Sequence, residues 1–75
     1  MPHKLVDDTD FWVAALSQTF VSAWKLDPDG MYAQIGYGRI EMFSEERVRL
    51  RLIDGSFTHL EREATRFEHN KRLRR

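Results

Sequence analysis

Asp54-Gly55-Ser56-Phe57-Thr58-His59-Leu60-Glu61 decides the fold of this chain. An Asp-Gly pair is a strong signal for a hairpin turn, which would make residues 56–61 a strand. Only the start of that strand works. With Phe57 opposite Leu52 on the apolar side, alternation turns His59 and Glu61 into the core. A helix accounts for the segment better. Thr58-His59-Leu60-Glu61 has the form of a capping box, with Thr58 as cap and Glu61 reaching back. Leu60, Ala64 and Phe67 then form an apolar stripe at helical spacing. The stripe fails beyond Phe67, where Lys71 and Arg74 occupy its continuation. The spacing predicts a helix over 59–70 that frays into a basic tail.

Upstream the period is two. Arg47-Val48-Arg49-Leu50-Arg51-Leu52 is the cleanest alternation in the sequence and predicts a strand. Met31, Ala33 and Ile35 alternate with Tyr32 and Gln34, and Ile40 and Met42 alternate with Arg39, Glu41 and Phe43, with a bend expected at Gly36-Tyr37-Gly38. A three-residue loop, Ser44-Glu45-Glu46, would set Met42 opposite Val48 and Ile40 opposite Leu50 on the core side. Glu41 would then face Arg49, a favourable cross-strand pair.

Further upstream, Trp12, Leu16, Phe20 and Trp24 recur four apart, with Val13 and Ala23 on the same side. With Asp8 or Thr9 as cap, this predicts a helix over 9–25. Phe11 and Val21 fall off its stripe and are read as exposed, or as part of a contact with another chain. Asp27-Pro28-Asp29-Gly30 stops the helix as a turn. It is not a calcium loop, since Gly38 stands where the bidentate carboxylate belongs.

The expected fold is therefore α+β, in the order α-β-β-β-α, with both helices packed on one face of a three-stranded antiparallel sheet. Residues 1–8 are expected as a flexible arm, 9–70 as the single domain and 71–75 as a basic tail. That order and length are similar to a double-stranded RNA-binding domain. The family's lysine cluster at the start of its last helix is replaced here by His59, Glu61 and Glu63 around Arg62, and membership is not inferred. Were residues 56–61 a fourth strand, the alternative is a helix followed by a small curled sheet, as in Sm-like or SH3-like barrels.

Twelve basic and twelve acidic residues cancel, but residues 1–30 carry −3 and residues 56–75 carry +3. A neutral balance argues against a whole-surface nucleic-acid binder. No apolar run approaches a membrane span, and the absence of cysteine fits a reducing compartment, so we expect a cytoplasmic protein with no membrane partner.

Catalytic groupings are not visible. His59 and His69 lie ten apart, unlike a helical ligand pair. His59-Leu60-Glu61 lacks the cysteines of a zinc deaminase, and Gly36-x-Gly38 lacks the lysine of a phosphate loop. We expect no enzyme, no metal and no cofactor. Two binding surfaces are marked instead. The open sheet face would present Tyr32, Arg39, Phe43, Arg47, Arg49 and Arg51, a mixture suited to protein hot spots and to stacked or anionic ligands. The tail offers Lys71, Arg72, Arg74 and Arg75 to phosphates. The leading expectation is a small protein-binding module (an adaptor, inhibitor or regulatory protein of the kind mobile elements such as phages encode). The alternatives are a nucleic-acid-binding domain and a homodimer pairing sheet faces or edges.

Overall fold

A computed structural model describes residues 2–70. Six strands and one helix occur in the order β1 (Pro2–Leu5), α1 (Asp8–Leu16), β2 (Phe20–Leu26), β3 (Tyr32–Phe43), β4 (Arg47–Leu52), β5 (Phe57–Glu61) and β6 (Arg66–Asn70). All pairings are antiparallel in one sheet of order β1-β6-β2-β3-β4-β5. The α-β-β-β-α arrangement with a three-stranded sheet is thus overturned. Among the described residues the fold is mostly β with a single short helix, and of the alternative reading only the strand after Asp54-Gly55 is met.

The helix stops at Leu16 because its backbone is capped there. Gln18 adopts a left-handed φ of 57°. Its N–H donates to the Ala15 carbonyl at 3.2 Å, and the Thr19 N–H donates to that of Ala14 at 3.1 Å. These two bonds are the Schellman pattern, here without its usual glycine. The Ser17 hydroxyl adds a bond to the Val13 carbonyl at 2.7 Å. From Phe20 the chain is extended. Val21 and Ala23 point inward, and Phe20, Ser22 and Trp24 point outward.

At the other end of the helix Asp7, not Asp8 or Thr9, is the cap, in a reciprocal box with Asp10. The Val6 N–H donates to Asp10 Oδ2 at 2.9 Å, and with the Asp7 N–H and His3 it holds the Asp10 carboxyl below its usual value. A lowered folded value means that this support is complete above about pH 4, the ordinary carboxylate value, and is lost as pH falls through the lower one. Melting monitored by circular dichroism should therefore show the wild type losing stability below about pH 4, with a shallower loss for Asp10→Asn.

Residues 57–61 form a strand because the loop before them is longer than a two-residue turn. Ile53-Asp54-Gly55-Ser56 intervenes, with the Leu52 N–H donating to the Ser56 carbonyl at 2.8 Å and Gly55 at a φ of 91°. The Ser56 hydroxyl and N–H both donate to Asp54, lowering its carboxyl pKa. Phe57 consequently lies opposite Arg51, not Leu52. That one-residue shift exchanges the faces: Thr58 and Leu60 turn inward, and Phe57, His59 and Glu61 turn outward. The expected 59–70 helix is thus two strands, β5 and β6, joined by a turn in which the Arg62 N–H donates to the Glu46 carbonyl at 2.8 Å. Residues 2–5, expected as an arm, pair with β6 and bury Leu5 against Phe67.

The inner face gathers Leu5, Phe11, Ala14, Val21, Ala23, Ile40, Val48, Leu50 and Phe67. Phe11 is 1% exposed and Val21 0%, whereas Trp12 is 56% exposed. The phase of the expected helix stripe is therefore corrected by about one residue. A Cβ on Gly36 in β3 would contact side chains of both Ala23 in β2 and Leu60 in β5, so the sheet curls across its width. Arg62 lies over the helix end of this core. Its guanidinium is 4.3 Å from the Phe11 ring centroid and bonds Asp8 at 2.7 Å and the Ser44 carbonyl at 2.8 Å.

The expected register between β3 and β4 is half met. Ile40 does lie opposite Leu50. A bulge at Glu41 then sets Met42 opposite Arg49 and Phe43 opposite Val48. Phe43 turns inward to stack near Phe11 at 5.6 Å, Met42 is 59% exposed, and Glu41 pairs with Arg51 at 3.2 Å and not with Arg49. No helix among the described residues is long and apolar enough to cross a membrane.

Candidate binding face on the outer sheet

The outer surface of the sheet is set by the β4 alternation. Val48 and Leu50 are fully buried, so Arg47, Arg49 and Arg51 face outward. The ladder registers align a row across four strands: Phe20 with Arg39, Arg39 with Arg51, and Arg51 with Phe57. Two arginines are thus bracketed by two phenylalanines. The Arg39 guanidinium lies 5.3 Å from the Phe20 centroid, and those of Arg49 and Arg51 each lie 5.0 Å from that of Phe57. Phe20 also stacks on Tyr37 at 5.3 Å. The rings hold the cations by quadrupole attraction and leave apolar surface between them.

A second row runs Met42, Arg49, His59. With Phe43, Ser44 and Arg47 these residues line a shallow cleft of about 130 Å³. Arg49 Nε is buried there with no hydrogen-bond partner. Arg51 is paired with Glu41, but Arg39, Arg47 and Arg49 make no ion pair among the described residues. Beside Arg47 the surface becomes acidic, since Glu45, Glu46, Glu61 and Glu63 share a cleft with it.

Of the six residues expected on one face, Arg39, Arg47, Arg49 and Arg51 stand together. Tyr32 lies at the far end of β3, where the Arg66 guanidinium sits 5.5 Å from its ring. Phe43 belongs to the inner side, because it lies beyond the bulge at Glu41. Lys71, Arg72, Arg74 and Arg75 lie outside the described residues. Phe20, Tyr37 and Phe57 complete the face, although sequence reasoning misses them by placing helix, bend and loop at those positions. The four-residue β4–β5 loop is the signal that turns Phe57 outward.

A separate apolar area lies on α1. Trp12, Val13 and Leu16 are exposed, and a cleft of about 400 Å³ opens between Trp12, Met42 and Phe43. Among the described residues, no three His, Asp or Glu side chains gather where they could hold a metal ion. No known family matches the sequence, and no curated protein or solved structure is detectably similar to it.

Proposed function

We propose that this chain is a small non-enzymatic protein-binding module that grips its partner with the outer sheet face. The observation that carries this reading is the Phe20–Arg39–Arg51–Phe57 row and the charge around it. Arginines and aromatic rings held rigidly together are the composition of interface hot spots. A nucleic-acid strand would need a continuous positive track for its phosphates. Here Glu41 interrupts the arginines, and Glu45, Glu46, Glu61 and Glu63 close off one end. Mixed charge of this kind suits a folded protein surface, where complementarity fixes register. A cysteine-free chain that works by such contacts is at home in the cytoplasm.

Nucleic-acid binding remains the second reading because ring faces beside arginines also stack bases. A paired experiment separates the two. Affinity capture from source cells should retain a protein with the wild type and lose it with Arg39→Glu/Arg51→Glu, whether or not nuclease is present. The loss should be at least thirtyfold, the effect of about 2 kcal/mol at a hot spot. Fluorescence anisotropy should show no binding of single-stranded RNA or duplex DNA even at low salt. Tight oligonucleotide binding that weakens steeply with salt would favour the second reading. Sedimentation of the purified chain tests whether the partner is a second copy, joined through the edge strands β1 and β5.

A further inference from the structure

We infer that the cleft between Arg49, Arg47 and His59 receives a single carboxylate side chain of the protein partner. The inference rests on the protein-binding reading and gives that face a ligand chemistry. Its starting point is Arg49 Nε, a buried donor with nothing to bond. A guanidinium N–H shut away from water without an acceptor is unfavourable, and an oxyanion that parts the side chains covering it as it enters the cleft removes that penalty. The guanidinium is also pre-oriented. Its position 5.0 Å from the Phe57 centroid restrains the side chain, so less freedom is lost when a carboxylate docks against the fork. Arg51 shares the same ring, but Glu41 already occupies it. Arg49 is the member of this pair left open.

The surroundings suit a carboxylate on a short apolar stem. The exposed side chain of Met42 supplies an apolar wall for methylene groups. The Ser44 hydroxyl oxygen accepts the N–H groups of Glu46 and Arg47, each at 3.2 Å. Ser44 lines the same cleft. The same surroundings disfavour phosphate chains. The four glutamates beside Arg47 would repel a dianion or a polyanionic strand more than a single carboxylate. They also predict that the partner segment is acidic only over Arg49.

Arginine Nε–H groups give their own signals in nitrogen–proton correlation spectra, so the donor itself can be watched in the full chain. The probes are an end-blocked peptide containing Glu, its Gln counterpart, inorganic phosphate and a single-stranded oligonucleotide. The Arg49 Nε–H signal should shift saturably with the Glu peptide and remain still with the Gln peptide. Arg49→Lys keeps the charge but removes the fork, and should weaken Glu-peptide binding at least tenfold. Lys25→Gln should change it less than twofold. An Arg49 signal that ignores the Glu peptide overturns the inference, as does Arg49→Lys binding the peptide like wild type or phosphate binding more tightly than the peptide. If capture of a protein partner needs Arg39 and Arg51 but is indifferent to Arg49→Lys, this inference fails and the protein-binding reading stands. Oligonucleotide binding in place of protein capture would instead remove both.

Discussion

Phe11→Ala is expected to lower stability by roughly 3–5 kcal/mol, while Trp12→Ala lowers it by about 1 kcal/mol or less. Phe11 is buried among Phe43 at 5.6 Å, Phe67 at 5.5 Å and the guanidinium of Arg62 at 4.3 Å. Truncation leaves a cavity at the meeting point of α1, β3 and β6, and it strips the ring from a cation already committed to Asp8 and Ser44. Trp12 has one edge-on contact with Phe43 and is otherwise exposed. Domains of this length seldom hold more than about 3–5 kcal/mol in reserve, so Phe11→Ala should be largely unfolded at room temperature. Urea titration monitored by circular dichroism measures both variants without relying on tryptophan emission. The reverse order, with Trp12→Ala the worse, would mean that the helix packs on the phase its four-residue spacing suggests.

That spacing explains why the N-terminal half of the fold is hard to read. Trp12, Leu16, Phe20 and Trp24 recur every fourth residue, which is close to one helical turn and equal to two strand repeats. The same run therefore fits a helix throughout or a helix and then a strand. The break is made by Ser17-Gln18-Thr19, where glutamine takes the left-handed position that glycine or asparagine usually advertises. Nothing local marks it. The strand content of 66–70 is hidden for a different reason. Phe67 becomes a core residue only because β6 returns to lie between β1 and β2, a pairing that spans most of the chain.

The arginine face is legible where it depends on one strand. Alternation in β4 is strict, so Arg47, Arg49 and Arg51 share a side in any register. The aromatic half of the face depends on neighbouring strands. Phe57 joins it through a loop two residues longer than the Asp-Gly pair advertises, and Phe20 joins it only once β2 exists as a strand. Phe43 leaves it because the bulge at Glu41 adds one residue to β3 and swaps the faces of Met42 and Phe43. Bulges of this kind cost a ladder position but carry little sequence signature, and here the gain is an aromatic ring delivered to Phe11.

The four-strand row also depends on one close backbone approach, and Gly38→Ala tests it. Gly38 lies opposite Leu52 on the inner side of β3, two residues from Gly36. A Cβ at Gly38 would overlap the Arg51 carbonyl oxygen and press on the Arg51 carbonyl carbon and Leu52 Cα. These are backbone atoms, which no rotamer change can move aside. The strands would have to part at the point where Arg39 and Arg51 are aligned. The expected cost is about 3 kcal/mol or more, at the upper end of overpacking. Gly36 is the control on the same strand and the same side. A Cβ there would meet Leu50 Cδ1 at 3.6 Å and the Ala23 and Leu60 methyl groups at 3.8 Å, all ordinary contact. Gly36→Ala should therefore be neutral or stabilising by about 0.4–1 kcal/mol, because alanine restricts the unfolded chain. Thermal melts should place Gly38→Ala well below the wild type and Gly36→Ala at or above it. If Gly38→Ala melts like Gly36→Ala, β3 and β4 are not as close at Arg51 as this register places them. The arginines would then not be held in one row, and the outer face would lose the rigidity on which its binding role depends.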